Sequence, residues 1–505
     1  MTDQQRFDDL GLYGLTPVQT PNLDALAASG MRFDRAYSCC ALCSPARASM
    51  LTGKYPHSHR MWNNNDMMQW AVRELPDDVE LIVEPLKAAG YRCGYAGKWH
   101  CGHDKVPSTY GFEGMDVPDY GVLSNTREYE DYLRRTGLGP PQRREEAWIT
   151  TPDYSAIAGT TAGDIRAVPT YFLSEYAVDM LERFAADRAR PWFIFLSYWS
   201  PHPAYFPPEE YAEMIDPREV RLWGNFRDTL EGKPPNQRRY RESYHRTLEL
   251  DDESWKLVLA RAFAQVSFLD SQVGRVLGAL EKLGVAEETA VFFGTDHGDM
   301  RGGHGKFLDK DAYMYEEIYH IPQIVRWPGV TTPGSVSREL VLNMDLAPTA
   351  LEIAGLAPPE GCEARSLVPL LRGAGSASGG AASRGGGAAW PDDLMCEFHG
   401  HRFLCSVRMI RWDRYKYVLN LSSFDELYDL EADPWELDNR IGDPSMKGVL
   451  SEGRRRLLNW IERTGDDIAW AAKTAMAAAE GDIRVRSRPP DSRRAASPVD
   501  GREAQ

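Results

Sequence analysis

"CSPARASMLTG", residues 43–53, packs a cysteine, a proline, an arginine and a closing glycine into one short stretch. Ser44 is a good N-cap, Pro45 suits the first helical position, where its missing N–H costs nothing, and residues 46–52 can run as about two turns until Gly53 stops them. Cys43 is then expected just outside a helix N-terminus, where the backbone field favours negative charge, with the Arg47 guanidinium about one turn further on.

The segments around this stretch alternate in character. Short apolar runs read as buried strands, and each ends in a polar cluster. "YRCGYAG" (91–97) leads into Lys98-Trp99-His100, "PWFIFLSYW" (191–199) into Ser200-Pro201-His202, and "TAVFFG" (289–294) into Thr295-Asp296-His297. Helical patterns lie between them, at 20–30, 81–90, 171–188 and 259–284. This alternation predicts an α/β fold with a mostly parallel central sheet sandwiched by helices. Ligands of such sheets gather beyond the carboxyl ends of the strands, so the polar clusters should converge.

Composition narrows the class. The chain has 505 residues, 43% hydrophobic and 26% charged, which is the make-up of a water-soluble globular protein large enough for more than one core. A net charge of −16 argues against broad binding to nucleic acid or anionic membranes, while leaving room for a local basic pocket. Eight cysteines are too few for a disulfide framework in a chain of this length. Cys39, Cys40 and Cys43 have no second CxxC or HxxxH to complete a zinc site. No run reaches the roughly 18 apolar residues of a membrane span, and "MTDQQRFDDLGLYG" (1–14) has no apolar signal-peptide core. As written, the chain is expected in the cytoplasm.

Beyond residue 370 the texture changes. Residues 371–389, "LRGAGSASGGAASRGGGAA", read as a flexible linker. "RFLCSVRMIRWDRYKYVLN" (402–420) alternates like antiparallel strands around a turn at 412–414, and "LLNWIERTG" (457–465) looks like a closing helix. The expected organisation is a catalytic domain at 1–370, the linker, a small α+β subdomain at 390–465 with an antiparallel sheet, and a helical extension with a disordered tail at 466–505. The polar stretch "RRYRESYHR" (238–246) reads as a solvated helix face.

Taken singly, each polar cluster has a bland explanation: His202 could be a satisfied loop histidine, Lys98 a surface lysine, Cys43 a buried thiol. Together they bring a cysteine and an arginine, a Lys-x-His, a Pro-His and an Asp-His to one edge of one sheet. That combination suits a tetrahedral oxyanion held by cations and a metal.

These residues resemble the formylglycine-dependent sulfatases of the alkaline phosphatase superfamily. "CSPARASMLTGKYPH" matches the C-x-P-x-R signature. "GYRCGYAGKWHCG", "SYWSPHPAYFPP", "TDHGDMRGGHG" with "DKDAYMYEE", "VLNMDLAPTALEIAGL" and "DRYKYVLN…ELYDLEADPWEL" look like the family's later blocks in the family's order, over roughly residues 1–465. The resemblance implies that a maturation enzyme oxidises Cys43 to formylglycine, whose aldehyde hydrates to a diol. One diol oxygen, deprotonated with help from Asp296, attacks the sulfur of a sulfate ester. The second loses its proton to His100, and sulfate leaves as the aldehyde reforms. Arg47 orients the hydrate, Lys98 and Lys310 bracket the sulfuryl oxygens, and His202 or Lys310 serves the leaving group. Asp3, Asp296 and His297 are the implied ligands of a divalent cation, Ca²⁺ in most of the family and Mg²⁺ or Mn²⁺ in some relatives. The implied substrate is a sulfated small molecule or saccharide.

The sequence departs from the family in two places. Many sulfatases carry an aspartate pair at the first metal position and Asp-Asn at the later one, where this chain has Asp3-Gln4 and Asp296-His297. Related phosphonate and phosphodiester hydrolases share the formylglycine, so they are the alternative activity; a non-catalytic sulfatase-like protein is the alternative from a different class. The family also has an apolar strand directly before the metal-binding aspartate, whereas here Asp3 follows Met1-Thr2. The expectation is a truncated N-terminus, an upstream export signal staying open, with Asp3 on a frayed end and the metal weakly held.

Overall fold

The computed structural model describes residues 1–64, 72–117, 120–148, 156–245, 247–311, 313–373, 389–402 and 404–479. Most of the expected linker and the expected disordered tail lie outside the described residues.

The central layer contains β1 (Met31–Phe33), β2 (Arg92–Gly97), β3 (Glu113–Gly114), β4 (Trp192–Ser197), β5 (Val291–Gly294), β6 (Gln323–Arg326) and β7 (Ser335–Ser337). They pair in two blocks, β3-β2-β4 and β7-β1-β6-β5. The first block is parallel throughout; in the second β6 alone runs against its neighbours. Residues 1–3 stitch the blocks together. Thr2 bridges Thr295 and Asp3 bridges Pro201, both in parallel sense. The Met1 ammonium donates to the Leu196 carbonyl at 2.6 Å, and the Met1 carbonyl accepts from the Tyr198 N–H at 3.0 Å. The layer is therefore mostly parallel, with its strand ends aligned where the polar clusters begin.

The helices flanking this layer are α1 (Pro21–Ser29), α2 (Cys43–Thr52), α3 (Val83–Ala88), α4 (Pro169–Ala185), α5 (Asp252–Lys282) and α6 (Leu346–Ile353). Strand alternation sorts them onto two faces. Ala96 of β2 faces a core with Leu23 of α1, Leu173 of α4 and Leu269 of α5. Its neighbours Cys93 and Tyr95 face another with Leu51 of α2, Leu86 of α3 and Leu351 of α6. Asp251 caps α5, its carboxylate accepting from the Ser254 N–H at 2.8 Å.

α2 corrects one expectation. Leu42 occupies the N-cap and Cys43 is the first helical residue, not a residue outside the helix. Ser44 lies inside the first turn, because Leu42 holds the extended N-cap backbone (φ −148°, ψ 135°), and the Ser44 N–H is taken up by Asn64 Oδ1 at 3.1 Å. Gly53 ends the helix as expected, with φ 67°.

The C-terminal unit is an antiparallel meander of β8 (Asp393–Phe398), β9 (Val407–Trp412), β10 (Tyr415–Asn420) and β11 (Glu426–Asp429), covered by α7 (Lys447–Thr464). Leu457, Trp460 and Ile461 of α7 share one core with this sheet and with Tyr37, Tyr55 and Tyr319 from the larger part of the chain. A charged contact reinforces the junction. His57, just after α2, places Nδ1 2.6 Å from Glu397 Oε2 of β8 and donates its backbone N–H to Oε1 at 2.7 Å. Among the described residues no helix is long and apolar enough to cross a membrane. Arg238 and Arg239 of the polar stretch are exposed, while Tyr240 beside them is buried.

Asp3 is not on a frayed end: it is fully buried and hydrogen-bonded through its backbone. The irregularity lies below it. Between β4 and β5, where residues 1–3 leave off, a slot of about 640 Å³ is lined by Met1, Ile194, Leu196, Phe292, Leu181 and Ala350, among others. Residues 192–196 of β4 are consequently only half-buried in the middle of the layer. Apolar side chains approach this slot from both helical faces, which is the environment of a continuous apolar parallel strand.

Two predictions follow from these packings. Extending the chain before Met1 by five apolar, β-branched residues should thread the slot and raise the melting temperature by several degrees, since each large side chain buried contributes about 1.5–3 kcal/mol; an unchanged melting curve would show that the slot does not accept a strand. The second concerns pH. Burial alone would depress His57, but Glu397 outweighs it and raises the imidazole to about 9. The ion pair's stabilisation is thus complete below the unfolded value of about 6.5 and fades as pH climbs through about 9. His57→Gln should flatten the fall in melting temperature between those limits.

Candidate active site

The ends of β2, β4 and β5, the start of α2 and residues 3–4 meet at one buried pocket. Arg47 is its hub. Nε donates to Asp296 Oδ2 at 2.9 Å and Nη2 to Asp3 Oδ2 at 2.8 Å, while Nη1 donates to the Lys98 carbonyl at 2.8 Å and Ser197 Oγ at 2.7 Å. Gly97 permits the turn that delivers Lys98: its φ is 101°, and a Cβ there would come within 2.0 Å of the Ser197 carbonyl.

Cys43 Sγ lies 3.3 Å from His297 Nε2. Burial alone would raise its thiol, but Lys310, Lys98 and His297 hold it well below the ordinary thiol range. Lys98 Nζ stands 2.6 Å from Asp3 Oδ2 as an ion pair without hydrogen-bond alignment. Against the effect of burial, Lys98 keeps Asp3 ionised, down to about 2. Lys310 Nζ donates to Gln4 Oε1 and Asp309 Oδ1, both at 2.8 Å, and lies 3.4 Å from His202 Nε2. His202 Nδ1 is 2.6 Å from the Pro203 carbonyl. Neither nitrogen of the buried His100 ring has a hydrogen-bond partner among the described residues. Burial and Lys98 lower this imidazole to about 4, so it is neutral at physiological pH.

The residues fit a divalent cation. Asp3, Cys43, Asp296 and His297 each offer one ligand atom, all within 4.8 Å of one another. Asp3 Oδ1 is buried without a hydrogen-bond partner, an arrangement that a cation satisfies. Burial opposes charge on His297, but Asp296 outweighs it and raises the imidazole.

All nine residues singled out by the sequence thus lie in this pocket or its wall. Sequence reasoning missed four others. Gln4 accepts from Lys310 and donates through Nε2 to Asp299 and Asp309 at 2.8 and 2.7 Å. Asp309 stands beside Lys310 in sequence, a signal that could have been used. Tyr120 and Trp199 sandwich the Lys98 ammonium, with ring centres 4.9 and 4.3 Å away. Trp199 closes an apolar strand and could have been suspected; nothing around Tyr120 marks it. Strain also concentrates here, with φ of 63° at Gln4, 54° at His100 and 68° at Asp309.

A buried nucleophile position ringed by fixed cations, beside carboxylates and an imidazole suited to a divalent ion, on a mostly parallel sheet between helices, defines an alkaline-phosphatase-like hydrolase of anionic esters. The comparisons specify the class. Residues 1–356 match the sulfatase family, and residues 302–463 match the N-sulphoglucosamine sulphohydrolase C-terminal family. The uncharacterized sulfatase YidJ of Escherichia coli K12 is 30% identical over 490 residues, covering 92% of this chain and 87% of the relative. The N-acetylglucosamine-6-O-sulfatase of Bacteroides thetaiotaomicron is 25% identical, covering 92% and 85%. Among solved structures, the phosphonate monoester hydrolase of Silicibacter pomeroyi superposes with a TM-score of 0.74 at 26% identity, covering 92% and 95%. The chain belongs to the sulfatase family of enzymes.

Arg47 is the residue on which the pocket's charge balance depends. Arg47→Ala should leave two buried carboxylates short of their partner and destabilise the fold by about 3–5 kcal/mol. Equilibrium unfolding in urea measures this, and an unchanged midpoint would show that Lys98 alone balances the site.

Proposed function

We propose that the protein hydrolyses the sulfate ester of a sulfated saccharide or related small molecule, using formylglycine made from Cys43 by a maturation enzyme, and a divalent cation, Ca²⁺ in preference to Mg²⁺ or Mn²⁺. The observation that carries this reading is Cys43 Sγ, buried 3.3 Å from His297 Nε2 and clustered with Asp3 and Asp296, with its thiol held low by Lys310 and Lys98. Once formed, the hydrated aldehyde supplies one oxygen for attack on sulfur and a second hydroxyl whose deprotonation expels sulfate. Asp3, Asp296 and His297 would hold the cation, which when bound polarises the attacking oxygen.

The chain's own residues do the rest. Arg47 fixes Asp3 and Asp296 in place, so that Asp296 is aimed to take the nucleophile's proton. Lys98 and Lys310 bind the equatorial oxygens of the tetrahedral group, where charge is greatest in the transition state. His202 Nε2 and Lys310 Nζ, 3.4 Å apart, form the side from which the departing alcohol takes a proton. His100, neutral and unpartnered, accepts the proton of the second hydroxyl. The N-acetylglucosamine-6-O-sulfatase relative supports a saccharide substrate.

A second reading is phosphonate monoester or phosphodiester hydrolysis, favoured by the superposition on the phosphonate monoester hydrolase and by Gln4, which gives the cation site one carboxylate fewer. Protein co-produced with the maturation enzyme should carry a Cys43 peptide about 18 Da lighter than the thiol form. It should cleave aryl sulfate far faster than aryl phosphonate, lose activity on chelation and regain it with Ca²⁺. Cys43→Ala should abolish turnover. Phosphorus esters winning by orders of magnitude would select the second reading, and full activity with unmodified Cys43 would overturn both.

A further inference from the structure

The sequence motif that supplies Asp296 and His297 continues through "RGGHG" (301–305) to "YEE" (315–317), and the active site uses neither. Both come together elsewhere. His304 is fully buried in a left-handed backbone, φ 48°, between Gly302 at 90° and Gly305 at 75°. Its ring is fixed by stacking on Tyr315, with centres 3.5 Å apart and planes 14° apart.

The two ring nitrogens have opposite surroundings. Nδ1 lies 2.8 Å from Asp228 Oδ2, closer than its 3.1 Å approach to Lys233 Nζ. Nδ1 therefore carries the proton and donates it to Asp228, leaving a lone pair on Nε2. That lone pair has no hydrogen-bond partner and faces Glu317 Oε2 at 3.7 Å. The separation is too long for a hydrogen bond, and it is the span of two ligands each about 2.1 Å from one ion. The other Glu317 oxygen accepts from Asn225 Nδ2 at 2.6 Å, and Asn225 Oδ1 beside it is buried and also unpartnered. A Glu436 carboxylate oxygen completes a group whose ligand atoms lie within 4.8 Å of one another.

Several paired charges surround the cluster. The carboxylates of Asp228, Glu316, Glu317 and Glu436 gather around this spot. Lys233 pairs with Asp228 at 2.9 Å, and Lys416 sits 2.7 Å from both Glu316 and Glu436. Arg411 reaches Glu316 through the Tyr37 hydroxyl, and Arg241 stands beside Asp228, donating to its carbonyl at 3.1 Å. Arg6, the other guanidinium that feels Glu317, is paired with Asp8. A carboxylate behind an imidazole whose other nitrogen faces further oxygen donors is the second-shell pattern of a metal-binding histidine.

We propose that His304 Nε2, Glu317 and Glu436, with Asn225 Oδ1 in reach, bind a second divalent cation of the kind that accepts imidazole and carboxylate together, Zn²⁺ being the best match. The ligands come from the loop leading to Lys310, the segment after it, and the chain beyond β11, so the ion would tie the C-terminal unit to the loop that carries Lys310. This site is separate from the cation centre at Asp296 and does not depend on the sulfatase reading.

The test removes the first centre and asks whether a second remains. The full-length Cys43→Ala/Asp296→Ala protein is stripped with chelator, dialysed against Zn²⁺ and then against metal-free buffer, and its zinc content measured. One equivalent per chain is expected, with a zinc-dependent rise in melting temperature. Adding His304→Ala should lower the content to near zero. If that variant fails to fold, Glu317→Gln keeps the shape and should weaken zinc retention at least tenfold. Substituting Co²⁺ should give visible absorption bands of a nitrogen- and oxygen-ligated ion, lost in Glu317→Gln. No retained zinc in the folded Cys43→Ala/Asp296→Ala protein, or in Cys43→Ala/Asp296→Asn should the alanine variant not fold, or retention untouched by both further changes, overturns the site.

Discussion

The guanidinium of Arg47 is the constraint on which the rest of the site depends. Its hydrogen bonds reach the first residues of the chain, the end of β2, the end of β4 and the second residue after β5, while its own backbone belongs to α2. Those elements are distant in sequence, and the parallel sheet only brings their ends to a common edge. Arg47 sets the distances between them. A lysine could not do this, since one ammonium cannot address two carboxylates, a carbonyl and a hydroxyl in a fixed fork. Because the group is buried with both aspartates, its pairing is required once the carboxylates are there: each removed alone leaves the others short of a partner.

Around that hub the pocket is organised by positive charge in an otherwise acidic protein. Lys98 and Lys310 are fully buried and held by acids behind them, Asp3 and Asp309, so they cannot swing toward solvent when an anion is absent. Aromatic rings of Tyr120 and Trp199 close over Lys98, lowering the local dielectric where an anionic group would bind. The left-handed residues Gln4, His100 and Asp309 show that the backbone is held in uncommon conformations to aim these groups. Fixed dipoles and charges of this kind need no reorganisation during reaction, which is the source of their catalytic value.

Much of this is legible in the sequence. Strand runs ending in Lys-x-His, Pro-His and Asp-His can be seen because a buried parallel strand is apolar throughout, so a polar cluster marks its end sharply. α2 starts two residues earlier than local pattern suggests: Ser44 is a good cap on local grounds, but Leu42 holds the extended N-cap backbone, and a tertiary partner, Asn64, takes up the first-turn N–H of Ser44. The Asp3–Lys98 pair and the role of Gln4 are long-range contacts with no sequence spacing to betray them. Tyr120 is invisible for the same reason: it comes from a loop, and loops carry no periodicity. The frayed end expected for Asp3 is not found: residues 1–3 make ladder bonds to the residues around the ends of β4 and β5, and two ion pairs, from Arg47 and Lys98, fix the Asp3 side chain.

Those ion pairs explain how a site can form at the seam of a divided sheet. Met1 to Asp3 are held on one side by β4 and the residues after it, and on the other by the end of β5 and the residue after it, so the two blocks meet only at the rim where the pocket lies. Below the rim they stand apart across an apolar slot. The polar contacts of Arg47 and Asp3 therefore do at the top of the layer what ladder hydrogen bonds and packed side chains do elsewhere in it.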